Sequence, residues 1–150
     1  MKTIIVHGGT GSFKSDKDFD EHRRGVEEAV IHGYSTLEER NSSEEAVIAA
    51  VSKMEENPTF NCGRGSVLNY NGQIEMDAAI MDNNLNAGAV SGLKRILHPI
   101  MVARAVMEQT DHVLLAGAEL EEFVKVLEFP RDDALVVPHR YQQWKGELER

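Results

Sequence analysis

Val67-Leu68-Asn69-Tyr70-Asn71-Gly72-Gln73-Ile74-Glu75-Met76-Asp77-Ala78-Ala79-Ile80-Met81 is the stretch that decides the fold class. Asn71-Gly72 sits between two strand-like runs and predicts a hairpin closed by a type I′ turn, which needs positive φ at both central residues. The second strand continues to Met81. Ile74, Met76, Ala78 and Ile80 share one face, while Gln73, Glu75 and Asp77 open the other. Asp82-Asn83-Asn84 turns the chain. Ala87-Gly88-Ala89-Val90-Ser91-Gly92 then predicts a further strand, built of small residues where a neighbour packs closely.

Helical patterns flank this β centre. From Phe19, apolar or small residues at 19, 22, 26, 29, 30, 33 and 37 fall in steps of three and four. Gly33 is expected to loosen that helix near its end. Ser42 with Glu45 three residues on has capping-box spacing, and Ala46, Val47, Ala50, Val51 and Met54 form the stripe that follows. Pro58 ends this helix by restricting the residue before it. Pro99 suits the first position of a third helix, with Ile100, Ala103, Val106 and Met107 facing inwards. Residues 118–128 read as a fourth. Ahead of them all, Ile4-Ile5-Val6 predicts a buried strand running into Gly8-Gly9. Beyond Pro130 the chain turns polar, so residues 131–150 are expected to be a linker or a loosely attached helix, and residues 1–130 the body of the domain. Helices around an antiparallel centre make an α+β protein rather than a regular βαβ alternation.

The chain has 150 residues, enough for one domain with its own core. Its net charge is −9, from 16 Lys+Arg and 25 Asp+Glu. That balance disfavours nucleic acid and anionic membrane surfaces as partners, since both select clustered positive charge. One cysteine, Cys62, excludes an intramolecular disulfide framework. No stretch is apolar enough for a leader or a membrane span, so the expected location is the cytoplasm.

Candidate chemistry is sparse. Gly8-Gly9-Thr10-Gly11-Ser12-Phe13-Lys14-Ser15 resembles a phosphate loop but has Phe13 where glycine must precede Lys-Ser. A non-catalytic nucleotide-binding module is therefore the alternative of a different class. The six histidines form no i, i+4 pair, which argues against a zinc site. Glu75 and Asp77 share a strand face as paired carboxylates might, although a hydrogen-bonded sheet face is the simpler reading. Cys62 is a nucleophile in principle and packing material more often. Residues 55–66, a helix end followed by proline and alternating glycines, read as a loop of turned-in carbonyls. Carbonyl oxygens suit hard cations.

Six separated motifs together carry a resemblance. They are His7-Gly8-Gly9-x-Gly11; Asn57-Pro58-x-Phe60-Asn61-x-Gly63-x-Gly65-Ser66-Val67; Glu75-Met76-Asp77-Ala78-x-Ile80-Met81-Asp82; Ala87-Gly88-Ala89-Val90; Pro99-Ile100-x-x-Ala103-Arg104-x-Val106-Met107-Glu108; and His112-Val113-Leu114-Leu115. In this order they resemble the plant-type L-asparaginases, or isoaspartyl peptidases, of the N-terminal-nucleophile hydrolases. The resemblance covers residues 3 to about 125 and corresponds to the N-terminal half of the family's precursor.

The resemblance implies a four-layer αββα sandwich of which this chain is the N-terminal half, the α subunit. It implies autocatalytic cleavage, a β subunit whose first residue is the nucleophilic threonine, and an (αβ)2 heterotetramer acting on a small-molecule substrate. The implied reaction releases ammonia from L-asparagine and cleaves β-aspartyl dipeptides; a glycosylasparaginase-like activity is the alternative within the family. No catalytic residue is expected in this chain, and no organic cofactor. A structural sodium ion is implied, held by main-chain oxygens of Met54, Glu55, Asn57, Phe60, Cys62 and Arg64. Asn61 matches an asparagine beside the nucleophile, and His7, Gly8 and Gly9 match a loop near the scissile bond. Thr10 replaces a usual alanine, His98 replaces a usual asparagine, and residues 118–120 replace a glycine-containing stretch.

Overall fold

The computed structural model describes residues 1–9 and 11–149, so the Thr10 departure lies outside the described residues. Along the chain follow α1 (Asp16–Arg40), α2 (Ser43–Glu56), a 3-10 turn (Gly63–Gly65), β1 (Met76–Met81), β2 (Ala87–Leu93), α3 (Pro99–Gln109), β3 (Leu114–Ala116), α4 (Gly117–Val126) and α5 (Pro138–Leu148). The described residues thus form a mixed fold of five α-helices and a three-stranded sheet.

Ser15 starts α1 by accepting the Asp18 N–H at 3.2 Å, and Asn41 ends it in the left-handed region at φ 52°. Gly33 does not loosen this helix. It lies in the interior, where a side chain would run into the Ala46 carbonyl and Ala50. Gly25, Ala29 and Gly33 are all buried at four-residue spacing, so one face of α1 brings its backbone against its neighbours.

Ser42 caps α2 as expected, accepting the Glu45 N–H at 3.2 Å. The Glu45 carboxylate reaches Arg104 at 2.8 Å, so only half of the capping box forms. Along α2, Val47 is 44% exposed while Ile48 is 6% exposed. The single-stripe expectation fails there because α2 packs against both α1 and α3.

The sheet runs β1-β2-β3, with β1 antiparallel to β2 and β2 parallel to β3. Helix α3 makes the crossover between the parallel pair. Ile80, Val90, Leu93, Ile100, Val106 and Val124 meet in the core beneath it. Each such side chain contributes roughly 1.5–3 kcal/mol by leaving water. Gly88 lets α3 sit directly on β2, since a Cβ there would overlap the Ala103 carbonyl. The expected close packing on the small-residue strand is what the structure has. The opposite face carries Ala79, Ala89 and Leu114 in one cross-strand row, flanked by Met81 and Ala116. Met81 and Leu114 are 65% and 56% exposed, so this apolar face is uncovered among the described residues.

Two β expectations are corrected. Ile4-Ile5-Val6 is not a strand, and Ile5 is 90% exposed. A strand needs a partner edge, and no described strand lies beside this segment; Ile4 instead packs on Gly33. The central hairpin is reduced to one bridge, Leu68 to Ile74. Gly72 has φ 74° but Asn71 is not in the positive-φ region, so the turn is not type I′. The Asn69 side chain shapes it instead, accepting N–H groups from Asn71 and Gln73 at 3.0 Å each.

Residues 131–149 lie against the domain. Leu135 is buried with Ile74 and Met76, and the Trp144 ring lies over Gly72 with its N–H donated to the Tyr70 carbonyl at 3.3 Å.

Candidate active site

The C-terminal end of α2 delivers the chain into a loop that folds back on itself. Asn57 N–H returns to the Met54 carbonyl at 3.1 Å, and Phe60 N–H to the Asn57 carbonyl at 3.3 Å. Thr59 N–H goes to Asn57 Oδ1 at 3.0 Å. Gly65 N–H closes the 3-10 turn on the Cys62 carbonyl at 3.0 Å. Gly63 takes φ 51°, a left-handed conformation that favours glycine. Any Cβ at Gly63 would overlap the Glu55 backbone, and one at Gly65 would overlap the Phe60 and Pro58 carbonyls. The two glycines therefore let the loop close on itself as a tight cradle of backbone carbonyls.

Its free oxygens are the feature of the loop that bears on a cation. The carbonyls of Met54, Asn57 and Cys62 each accept one N–H and keep a second lone pair. A donor set of carbonyls suits a hard cation such as sodium, not a soft one. Cys62 and Arg64 need only their backbones for such a role. Among the described residues no group of three or more His, Cys, Asp or Glu side chains is placed to hold a metal. Main-chain oxygens of this kind are the donors that the implied ion would take.

Glu55 is the residue that sequence reasoning missed in its more consequential role. The residue is 2% exposed, and its carboxylate accepts the Ile100 N–H at 3.0 Å and meets His98 Nδ1 at 3.1 Å. An anion here satisfies the start of α3, where His98 supplies no cap of its own. The contact with Glu55 raises the His98 pKa above its ordinary value, against the opposing effect of burial. The Ile100 partner of Glu55 lies 45 positions away, so no local pattern in the sequence marked it.

The glycine segment and the loop come together through Phe60, whose side chain is 3% exposed. A Cβ at Gly8 would strike Val26 and the Phe60 ring, and one at Gly25 would strike the other side of that ring. His22 lies edge-on to Phe60 at 5.8 Å, and Phe13 edge-on to His22 at 5.2 Å. His7 is exposed and its Nδ1 accepts the Gly9 N–H at 3.2 Å. Gly9 takes φ 115° with open space where a side chain would stand. Asn61 is exposed, and its Oδ1 accepts the Val67 N–H at 2.9 Å.

Other candidates have local uses. Ser15 caps α1, and the Lys14 N–H goes to Asp18 at 2.9 Å, so both residues of the phosphate-loop pair serve the helix start. Asp77 accepts from Ser91 Oγ at 2.8 Å and Gly92 N–H at 2.9 Å. Glu75 pairs with Lys94 at 2.9 Å. This is the hydrogen-bonded sheet face expected as the simpler reading. The Cys62 thiol is pushed up to about 12, first by burial and then by the Glu55 charge. No helix among the described residues is long and apolar enough to cross a membrane.

A family model described as Asparaginase matches residues 1–150. The chain is 46% identical over 151 residues to the plant-type L-asparaginase of Pyrococcus horikoshii, covering 100% of this chain and 49% of that one. It is 46% identical over 146 residues to the plant-type L-asparaginase of Thermococcus kodakarensis, covering 97% and 47%. It is 40% identical over 152 residues to the isoaspartyl peptidase/L-asparaginase of Danio rerio, covering 99% and 49%. The chain spans about half the length of the curated relatives it matches.

Proposed function

The chain belongs to the asparaginase family, and on that premise we propose that it supplies the α half of an amidohydrolase acting on L-asparagine and β-aspartyl dipeptides. The observation that carries this reading is 46% identity across the whole chain to a plant-type L-asparaginase. The complementary half brings the threonine nucleophile, with its α-amino group as base. Autocatalytic cleavage of a common precursor exposes that threonine, and the mature protein is an (αβ)2 assembly working in the cytoplasm. A four-layer αββα sandwich is supported by the uncovered apolar face of the sheet, which is suited to packing against a second sheet.

In this division of labour the present chain holds and orients. The carbonyls of Met54, Glu55, Asn57, Phe60, Cys62 and Arg64 would hold sodium, which would supply fixed positive charge to the loop. Phe60 packs against Gly8 and so links the loop to the His7-Gly8-Gly9 segment, which we place beside the scissile bond. Asn61 keeps its side chain in place through the Val67 N–H and offers its amide N–H groups to the nucleophile's surroundings.

The test is kinetic and uses the full protein. Ammonia release from L-asparagine and aspartate release from a β-aspartyl dipeptide are expected; absence of both would reject the reading. Asn61→Ala should lower kcat by about tenfold to a thousandfold, with a smaller change in KM. Asn61→Asp keeps the acceptor for Val67 but loses the N–H donors, so its kcat should fall nearly as far. An Asn61→Asp enzyme with wild-type kcat would show that the amide N–H groups take no part.

A further inference from the structure

The segment after Pro130 touches the cradle at two consecutive residues. Arg140, near the start of α5, donates its Nε–H to the Gly65 carbonyl at 2.7 Å, in a partly buried position. Asp132 receives the Arg64 guanidinium at 3.4 Å. Gly65 is also where the loop is tightest, because any side chain there would strike the Phe60 and Pro58 carbonyls. A bond to the Gly65 carbonyl therefore acts on the residue with least room to move.

The segment that carries Arg140 is itself anchored. Leu135 is 3% exposed beside Ile74 and Met76, and Asp132 N–H reaches the Arg95 carbonyl at 2.8 Å. At the other end Trp144 covers Gly72 and binds the Tyr70 carbonyl. Arg140 is thus held from both sides. Its guanidinium also reaches Gln143 Oε1 at 3.1 Å, which fixes the plane of the fork while Nε bonds the loop.

We propose that residues 131–148 are a strap over the cradle, and that Arg140 is a positioning residue which sets the shape of residues 57–66 through the Gly65 carbonyl. What that shape serves rests on the cation reading above; the strap itself rests on the contacts just described.

The experiment is amide hydrogen exchange on the full protein, comparing wild type with Arg140→Ala, Arg140→Lys and Asp132→Asn. Arg140→Ala should speed exchange across residues 57–66 by about tenfold or more, with residues 100–106 unchanged. Arg140→Lys, which keeps one charged donor, should restore most of the protection. Asp132→Asn should act in the same direction more weakly, because it removes only the Arg64 contact. Unchanged exchange at 57–66 in Arg140→Ala would overturn the proposal. So would an equal rise over the whole chain, which marks general destabilisation. Repeating the wild-type measurement in sodium chloride and in choline chloride judges the other reading separately. Identical protection in the two salts would reject the cation while the Arg140 comparison still decides the strap.

Discussion

The Glu55 carboxylate receives the Ile100 backbone N–H at 3.0 Å inside the protein, joining the last turn of α2 to the first turn of α3. Pro99 has no N–H to offer and His98 gives no side-chain cap, so Glu55 is the anion that the start of α3 depends on. The same residue begins the carbonyl-walled loop. One side chain thus fixes where the loop leaves α2 relative to the helix that covers the sheet. Glu55→Ala should destabilise the protein by about 3 kcal/mol, because it strands a buried N–H and removes the partner of His98. Glu55→Gln keeps an acceptor for Ile100 and should cost about half as much. Urea unfolding of both variants measures this; wild-type midpoints in both would mean that Glu55 does not hold the helix.

His98 gives a pH dependence with a definite sign. Its pKa is raised, chiefly by the bond to Glu55, so the fold favours the protonated ring. The stabilisation is complete below the ordinary histidine value of about 6.5 and is lost as pH rises through the higher folded value. In His98→Asn, which cannot titrate, the fall in Tm just above that pH should be shallower than in wild type. Parallel curves for the two proteins from about pH 5.5 to 8.5 would rule this coupling out.

Gly63 and Arg64 are neighbours with opposite tolerance. Gly63 sits at φ 51° against the Glu55 backbone, so Gly63→Val must displace that backbone and should cost about 4 kcal/mol or prevent folding. Arg64→Ala removes only a partly exposed pair with Asp132 at 3.4 Å and should cost about 0–1 kcal/mol. If the loop uses backbone oxygens, sodium-dependent thermal stabilisation should survive Arg64→Ala. Its loss there, with Gly63→Val tolerated, would reverse the assignment.

Cys62 should be inert. With its pKa pushed up to about 12, almost none of it is thiolate at neutral pH. Alkylation by iodoacetamide should run about two to three orders of magnitude slower than for a free cysteine. Cys62→Ser should leave turnover nearly unchanged. Fast alkylation that abolishes activity would move the nucleophile into this chain.

Helix positions were legible because capping residues and prolines act locally: Ser42 and Pro99 stand where the structure uses them. Strands are settled by partners. Ile4-Ile5-Val6 has strand composition, yet composition does not supply a neighbouring edge. Asn71-Gly72 has type I′ composition, yet the Asn69 side chain won the competition for the nearby N–H groups. The alternating glycines of residues 63–65 did announce a special loop. The roles of Glu55 and Arg140 were hidden because each is a single charged residue whose partner lies 45 or 75 positions away. No local period records such a pairing.

The bare row of Ala79, Ala89 and Leu114 has a consequence for the life of the chain in a cell. A newly made copy whose sheet is still uncovered offers chaperones and proteases an apolar strip beside the edges of β1 and β3, which are unpaired among the described residues. Abundance then depends on how quickly that strip is buried.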